Sequence, residues 1–245
     1  MTDSSVLEGV VSIRAALDSQ SRPIERLLIR RDQRDYPVKK LATAAKAVNI
    51  PVEQVDETVI AQYAEGKTHG GVIALVGDRR FVSMDALITG VQNPFIVMLD
   101  GVEDPFNFGQ AIRAFYASGA HGLIVRPRNW LSAASTVARA SAGASERMPT
   151  AVAETLEEAA SFFRSRGVLV AVTDIDRAVS IYDADLTQPL FLVVGGEKRG
   201  VTRSFADAAD IRLKIPYGRS FNQSLGTTGA ASVLAFEVMR QRVKE

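Results

Sequence analysis

Phe95-Ile96-Val97-Met98-Leu99 is a run of five apolar residues that ends at Asp100, after which Gly101, Pro105 and Asn107 precede a helical pattern. An unbroken apolar run closed by polar turn-formers reads as a strand buried on both faces, the kind found in parallel sheets. Similar runs recur at Gly122–Val125, Val168–Val172, Leu190–Val194 and Ile211–Ile215. Helical patterns lie between them at Gln110–Ser118, Leu131–Ser141, Leu156–Arg166 and Thr202–Ala208, and the longest runs from Ser224 to Arg240. Strands alternating with helices predict an α/β fold with a parallel sheet covered on both faces.

Upstream, the alternation is shorter and more mixed. Val6–Leu17 has helical spacing, Ile24–Ile29 is an apolar run, and Val38–Val48 is helical again. Pro51–Val55 reads as a strand, Thr58–Ala64 as a short helix and Gly71–Val76 as a final strand. This describes a small α/β domain over residues 1–80, then a linker at 81–92 that lacks strong periodicity, then a second domain over 93–245.

Composition narrows the chemistry. The 245 residues, 47% hydrophobic and 23% charged, suit one large or two small globular domains. No apolar stretch approaches the roughly 20 residues needed to span a bilayer, and Met1-Thr2-Asp3-Ser4-Ser5 lacks a signal-peptide pattern. A cytoplasmic protein without membrane attachment is expected. The absence of cysteine excludes disulfides, thiolate metal sites and a cysteine nucleophile. Only His69 and His121 could supply imidazole, so no multi-histidine metal site is expected. The net charge is +1, yet Arg22–Lys46 holds eight basic residues against three acids. Such a segment can hold phosphates and steer a polyanion, although a solvated helix and loop face would look the same.

Three edges of the second domain carry amide, hydroxyl and charged groups where a strand gives way. In open α/β sheets these carboxyl-end crevices receive ligands. At the first, Asn107 can cap the following helix, and Arg113 lies less than two turns further on. An arginine beside a helix start can grip a phosphate. At the second, Gly195-Gly196-Glu197-Lys198-Arg199-Gly200 fails both the dinucleotide and the Gly-Lys-Ser/Thr spacings. Its paired glycines can let a bulky ligand approach the backbone, or form a tight turn. At the third, Ser220, Asn222, Gln223 and Ser224 crowd before the last helix, more than one N-cap at Ser224 or Asn222 requires.

The order Asn107-x-Gly109-x-x-x-Arg113, then Gly195-x-Glu197-x-x-Gly200, then Ile215-Pro216 with Ser220-x-Asn222-x-Ser224 resembles the SpoU, or TrmH-like, RNA ribose 2′-O-methyltransferases. The resemblance covers Pro94 to the carboxyl terminus. Gly9, Ala16-Leu17 and His69-Gly70-Gly71-Val72 are similar to the signatures of a small RNA substrate-binding domain that many members carry. Tyr217 departs from the methionine usual after Ile-Pro, and only Gly218-Arg219 separates it from Ser220.

The resemblance implies S-adenosylmethionine as methyl donor, held in a deep trefoil knot, and a homodimer with active sites at the subunit interface. It implies that Gly195, Ile215, Phe221 and Ser224 bind the donor, and that Asn107, Arg113, Glu197, Ser220 and Asn222 form the catalytic region. The expected substrate is RNA, ribosomal rather than transfer RNA, with no metal. Arg113 is effectively always protonated, so it is expected to bind phosphate and stabilise the developing alkoxide while Ser220 or water relays the proton. Carbon-5 pyrimidine methylation generally needs a cysteine adduct, which this chain cannot make. Transfer RNA as substrate, a catalytically silent RNA-binding homologue and a small-molecule α/β enzyme are the alternatives.

Overall fold

The computed structural model describes residues 5–64, 68–127, 134–175, 177–196 and 200–243. The chain divides into two compact units, Met1–Arg80 with Ala133–Arg147, and Phe81–Ser132 with Met148–Glu245.

The first unit opens with β1 (Ser5–Glu8), α1 (Val10–Ser19), β2 (Ile24–Arg30) and α2 (Tyr36–Ala47). It continues with β3 (Val52–Val55), α3 (Glu57–Ala61) and β4 (Val72–Val76). The sheet order is β1-β4-β2-β3, antiparallel except for the β2–β3 pair. Residues 6–17, which look continuously helical, are in fact a strand and a helix. The break is Gly9, at φ 81°, a conformation that a side chain would oppose. Leu7 of β1 and Ile13 of α1 then reach the same core as Leu27, Leu41 and Val72.

The second unit holds β5 (Phe95–Asp100), α4 (Pro105–Ala117), β6 (Gly122–Val125), β7 (Thr150–Val152), α7 (Leu156–Arg164) and β8 (Leu169–Thr173). After these come β9 (Val179–Ser180), β10 (Leu190–Gly195), α8 (Arg203–Ala208), β11 (Ile211–Lys214) and α9 (Thr227–Arg242). The two helices between β6 and β7, α5 (Ala134–Ala140) and α6 (Ala144–Arg147), belong to the first unit instead. Among the described residues the sheet order is β7-β6-β5-β10-β8-β11-β9, with every pair parallel. This is the expected α/β architecture. The double-sided burial of β5 has a direct cause. Ile96 and Met98 join Phe163 of α7 and Phe205 of α8 in one core, while Phe95 meets Phe115 of α4 edge-on at 5.9 Å on the other face. Strands β7 and β9 are three and two residues long, too short to show as apolar runs.

The stretch expected as a linker, 81–92, contributes to the second core. Its single turn Asp85–Leu87 buries Leu87 there, and Asp85 accepts from Arg166 at 2.9 Å.

The helix expected at Leu131–Ser141 differs more. Residues 131–133 lie outside the described residues. From Ala134 onward the single expected helix is replaced by α5 and α6, and Ala138 of α5 is buried in the first unit's core. Arg22 makes a two-pronged bond to Glu146 of α6, at 3.0 Å to each oxygen, and Arg79 faces the same carboxylate at 3.3 Å. Burial brings the Arg79 guanidinium down to about 10, against the pull of Glu146. Arg22 therefore does not belong to an exposed basic face. Arg26, Arg30 and Arg31 are also matched, by Glu53, by Asp32 and Glu57, and by Asp56. Lys39, Lys40 and Lys46 remain exposed, with no carboxylate partner among the described residues. The basic segment is a smaller field than its composition implies.

His121 joins two strands at the amino edge of the second sheet. Its Nδ1 accepts from the Phe95 amide at 3.0 Å, which requires the neutral ring. Burial first, and then the Arg242 charge, lower its pKa below the usual histidine value. A histidine lowered in the folded state adds stability above its unfolded pKa, and that stability is lost as pH falls from there through the lower folded pKa. The melting temperature is therefore expected to drop between pH 7.5 and 5. His121→Gln should show a shallower drop, and an equal slope in both proteins would exclude His121 as the cause.

Candidate active site

The parallel register brings the ends of four strands together. Gly195 stands beside Asp100, at the ends of β10 and β5, while Thr173 and Lys214 close β8 and β11 nearby. Thr173 Oγ1 accepts from the Gly195 amide at 3.3 Å, and the Gly196 amide donates to the Asp100 carbonyl at 2.7 Å. The chain passes Gly196 so tightly that a Cβ there would lie 2.1 Å from the Gly101 carbonyl oxygen. At Gly195 it would lie 2.9 Å from the Val201 nitrogen. Gly196 is thus required by the close approach of two neighbouring backbones, a packing reason that the expectation of ligand approach did not contain.

Beside this contact lies a cleft of about 1400 Å³. Its walls are the loop after β8, the loop after β10, the segment 215–225 after β11 and the first turn of α9. Val194, Leu213, Ile215 and Leu225 supply apolar surface there. Segment 215–225 holds its shape partly through Tyr217, whose hydroxyl accepts from the Leu225 amide at 2.9 Å. The Tyr217 and Phe221 rings sit 6.0 Å apart, and Phe221 is 60% exposed.

Helix α9 starts at Thr227, with Gly226 as N-cap and no side-chain cap bond. The expected caps Ser224 and Asn222 are therefore not used as caps. Both are exposed, as are Ser220 and Gln223, so this polar cluster has no explanation in helix initiation. The capping reading of Asn107 is corrected in the same way. Asp104 caps α4, accepting from the Asn107 amide at 2.7 Å, and Pro105 occupies the first turn. Pro105 suits that place because its missing N–H would have no partner there. Asn107 stands inside the first turn.

Of the residues expected to bind the donor, Gly195, Ile215, Phe221 and Ser224 all line the one cleft. Asn222 lines it too. Asn107, Arg113 and Ser220 are not among its lining residues. Glu197 lies outside the described residues. Arg113 is exposed on α4 and shares a helical face with Phe106, seven residues earlier. Phe106 is 53% exposed and Tyr116 39%, and α9, which packs on α4, leaves Phe236 44% exposed.

Thr173, Arg177, Arg203 and Thr227 also line the cleft and were not anticipated. One signal for Thr173 was available. The run Val168–Val172 ends at it, and the carboxyl-end rule applied to the other strands marks it as a fourth edge.

The arrangement can hold a flat, polar-edged ligand between backbone loops and apolar side chains, with room for a second group. Usual small-molecule pockets occupy roughly 300–1000 Å³, less than this cleft.

Residues 94–236 match the SpoU rRNA Methylase family, and residues 6–82 match the RNA 2′-O ribose methyltransferase substrate binding family. The chain is 31% identical over 248 residues to the 23S rRNA (guanosine-2′-O-)-methyltransferase RlmB of Ralstonia nicotianae, covering 99% of this chain and 98% of that protein. The protein of the same name from Photobacterium profundum is 28% identical over 242 residues, covering 98% of each. Among solved structures, the AdoMet-bound rRNA methyltransferase of Sinorhizobium meliloti superposes with a TM-score of 0.83 at 26% identity, covering 99% of this chain and 89% of that one. The SpoU methyltransferase AviRb of Streptomyces viridochromogenes, in complex with AdoMet, shares the fold at a TM-score of 0.80 and 24% identity, covering 97% of this chain and 90% of that one.

Proposed function

The chain belongs to the SpoU rRNA methylase family, and we propose that it methylates ribosomal RNA at the 2′-hydroxyl of one ribose. It is an S-adenosylmethionine-dependent RNA methyltransferase. The observation that carries this reading is the convergence of Gly195, Ile215, Phe221, Asn222 and Ser224 on one cleft at the carboxyl edge of a parallel sheet. The methyl donor fits that cleft by its chemistry. Apolar walls at Ile215 and Leu225 suit a purine, and the backbone at Gly195 and along 215–225 offers hydrogen-bonding groups to its edges. When bound, the sulfonium supplies an activated methyl group.

The chain's own residues would do the rest. Methyl transfer is an in-line displacement, so the main task is to fix the ribose oxygen in line. Asn222 and Ser220 stand on the segment that would orient it, and Ser220 or a water accepts and relays the hydroxyl proton. Arg113 binds the neighbouring phosphate and stabilises the developing alkoxide. Asn107 and Glu197 belong to the same catalytic region in this reading. A deep trefoil knot is part of this reading, as membership of the family implies.

The working form is a homodimer. Exposed Phe106, Tyr116 and Phe236 on α4 and α9 are apolar surface that a second copy would cover. Arg113 stands on that face, outside the cleft of its own chain, so a partner's cleft is where it can act. The first unit would recruit RNA, helped by the exposed lysines of α2. No described helix is long and apolar enough to cross a membrane, and the described residues hold no cluster of three or more potential metal ligands. With ribosomal RNA as its substrate, the enzyme works in the cytoplasm.

The test is incubation with methyl-labelled donor and total RNA, followed by mapping of the ribose modified in cells with and without the protein. Label on a single ribosomal ribose is expected. Label in transfer RNA would move the substrate, and no label in any RNA would sink the assignment.

A further inference from the structure

Three cations stand around the cleft. Arg177 follows β8, Arg203 opens α8 and Lys214 closes β11, and all three are exposed lining residues of the cleft. None has a carboxylate partner among the described residues. Exposed Arg113 and Arg219 of this unit likewise have no carboxylate partner among the described residues, whereas four other arginines of the unit are matched. Arg126 pairs with Asp100, Arg164 with Asp210, Arg166 with Asp85 and Arg240 with Glu237. Asp174, the acid among the described lining residues, is already engaged by Arg212, which also pairs with Asp207. Among the described residues, positive charge at the rim of this cleft is therefore left unneutralised.

Arg177 has φ +52°, a left-handed conformation that non-glycine residues adopt at a cost and that Gln20, Asn49 and Ala142 of the first unit share.

The ligand is an anion. The methyl donor carries a sulfonium and an ammonium against one carboxylate, so its net charge is positive and three cations do not suit it. RNA carries a negative charge at every nucleotide, and an internal ribose bears its 3′-phosphodiester on the carbon next to the 2′-hydroxyl. A cleft that receives that oxygen must also meet the strand's phosphates. The geometry points to Arg177, Arg203 and Lys214 as a phosphate-binding rim that holds the RNA strand at the cleft. This rests on the RNA methyltransfer reading and assigns it a binding site within the second unit.

The experiment uses the full chain carrying Arg177→Gln, Arg203→Gln, Lys214→Gln and all three together, each checked for a wild-type melt. Binding to an oligouridylate is followed across a salt series, donor uptake by calorimetry, and methylation of ribosomal RNA by label. Removing one phosphate-binding cation should flatten the log–log salt slope by roughly 0.7, the single-strand value. The KM for RNA should rise several-fold with kcat and donor affinity unchanged, and Arg177→Lys should recover most of the binding. An unchanged salt slope in the triple variant overturns the rim, and so does a loss of donor affinity in step with RNA affinity. If the triple variant melts early, the single variants carry the same slope test. A wild-type protein that methylates no RNA sinks the underlying reading, which leaves the slopes as a separate result.

Discussion

Arg113→Ala is expected to reduce kcat by about a hundredfold to a thousandfold, the usual effect of losing one donor to a developing oxyanion, while the calorimetric affinity for S-adenosylmethionine stays at the wild-type value. Arg113 is exposed on α4 and does not line the cleft, so its removal should leave the donor site intact. Arg113→Lys should recover little, because it keeps the charge and loses the planar fork. Origin in a second subunit has its own signature. Arg113→Ala and Asn222→Ala proteins should each be nearly inactive alone. Unfolded together and refolded, they should recover about a quarter of wild-type activity, since half of randomly formed dimers hold one intact site. Recovery near zero would place Arg113 and the cleft in the same chain. Wild-type turnover by Arg113→Ala would remove it from catalysis.

Gly196→Ala should destabilise the second unit by about 3 kcal/mol or more, at the upper end of overpacking effects. The added Cβ would lie 2.1 Å from the Gly101 oxygen, 2.4 Å from its carbonyl carbon and 3.0 Å from the Val102 nitrogen. All three are backbone atoms, so no side chain can rotate away. The Gly196 amide also donates to the Asp100 carbonyl at 2.7 Å, and relief of the clash would pull that bond apart. The end of β10 would then leave β5, and donor uptake should fall more than the stability loss alone explains. Gly218→Ala is the control. Its Cβ would meet nothing within 4 Å, and a change within about 0.5 kcal/mol is expected, as for an ordinary surface site. Equal denaturation midpoints for the two variants would show that the contact at Gly196 is looser than the geometry says.

The candidate site was legible in proportion to how local each signal was. Ser220, Asn222, Gln223 and Ser224 stood out because four hydrogen-bonding residues exceed the needs of one cap. The structure sharpens this, since α9 begins beyond them at Thr227. As a helix cap, Asn107 misled for the opposite reason. Asp104 offers the same capping chemistry three residues earlier, and Pro105 at the first helical position favours that choice. The basic segment misled because charge counts carry no partners. Arg22 is cancelled by Glu146, 124 residues away, and no pattern along the chain announces that pairing.

What the sequence determined by itself was the class of the fold. Apolar runs such as 95–99 can only be satisfied by burial on both faces, and helices of the right period stood between them to provide it. Residue identity also supplied the ordered motifs that mark the family. Tertiary structure alone decided which strand lies beside which, placing β10 between β5 and β8 and thereby gathering Thr173, Gly195 and Ile215 at one cleft. It alone gave residues 134–147 to the first unit and set Gly196 against Gly101. The reason is physical. Periodicity records which face of an element avoids water, whereas strand order, backbone contacts and ion pairs depend on partners far along the chain, whose choice no local pattern encodes.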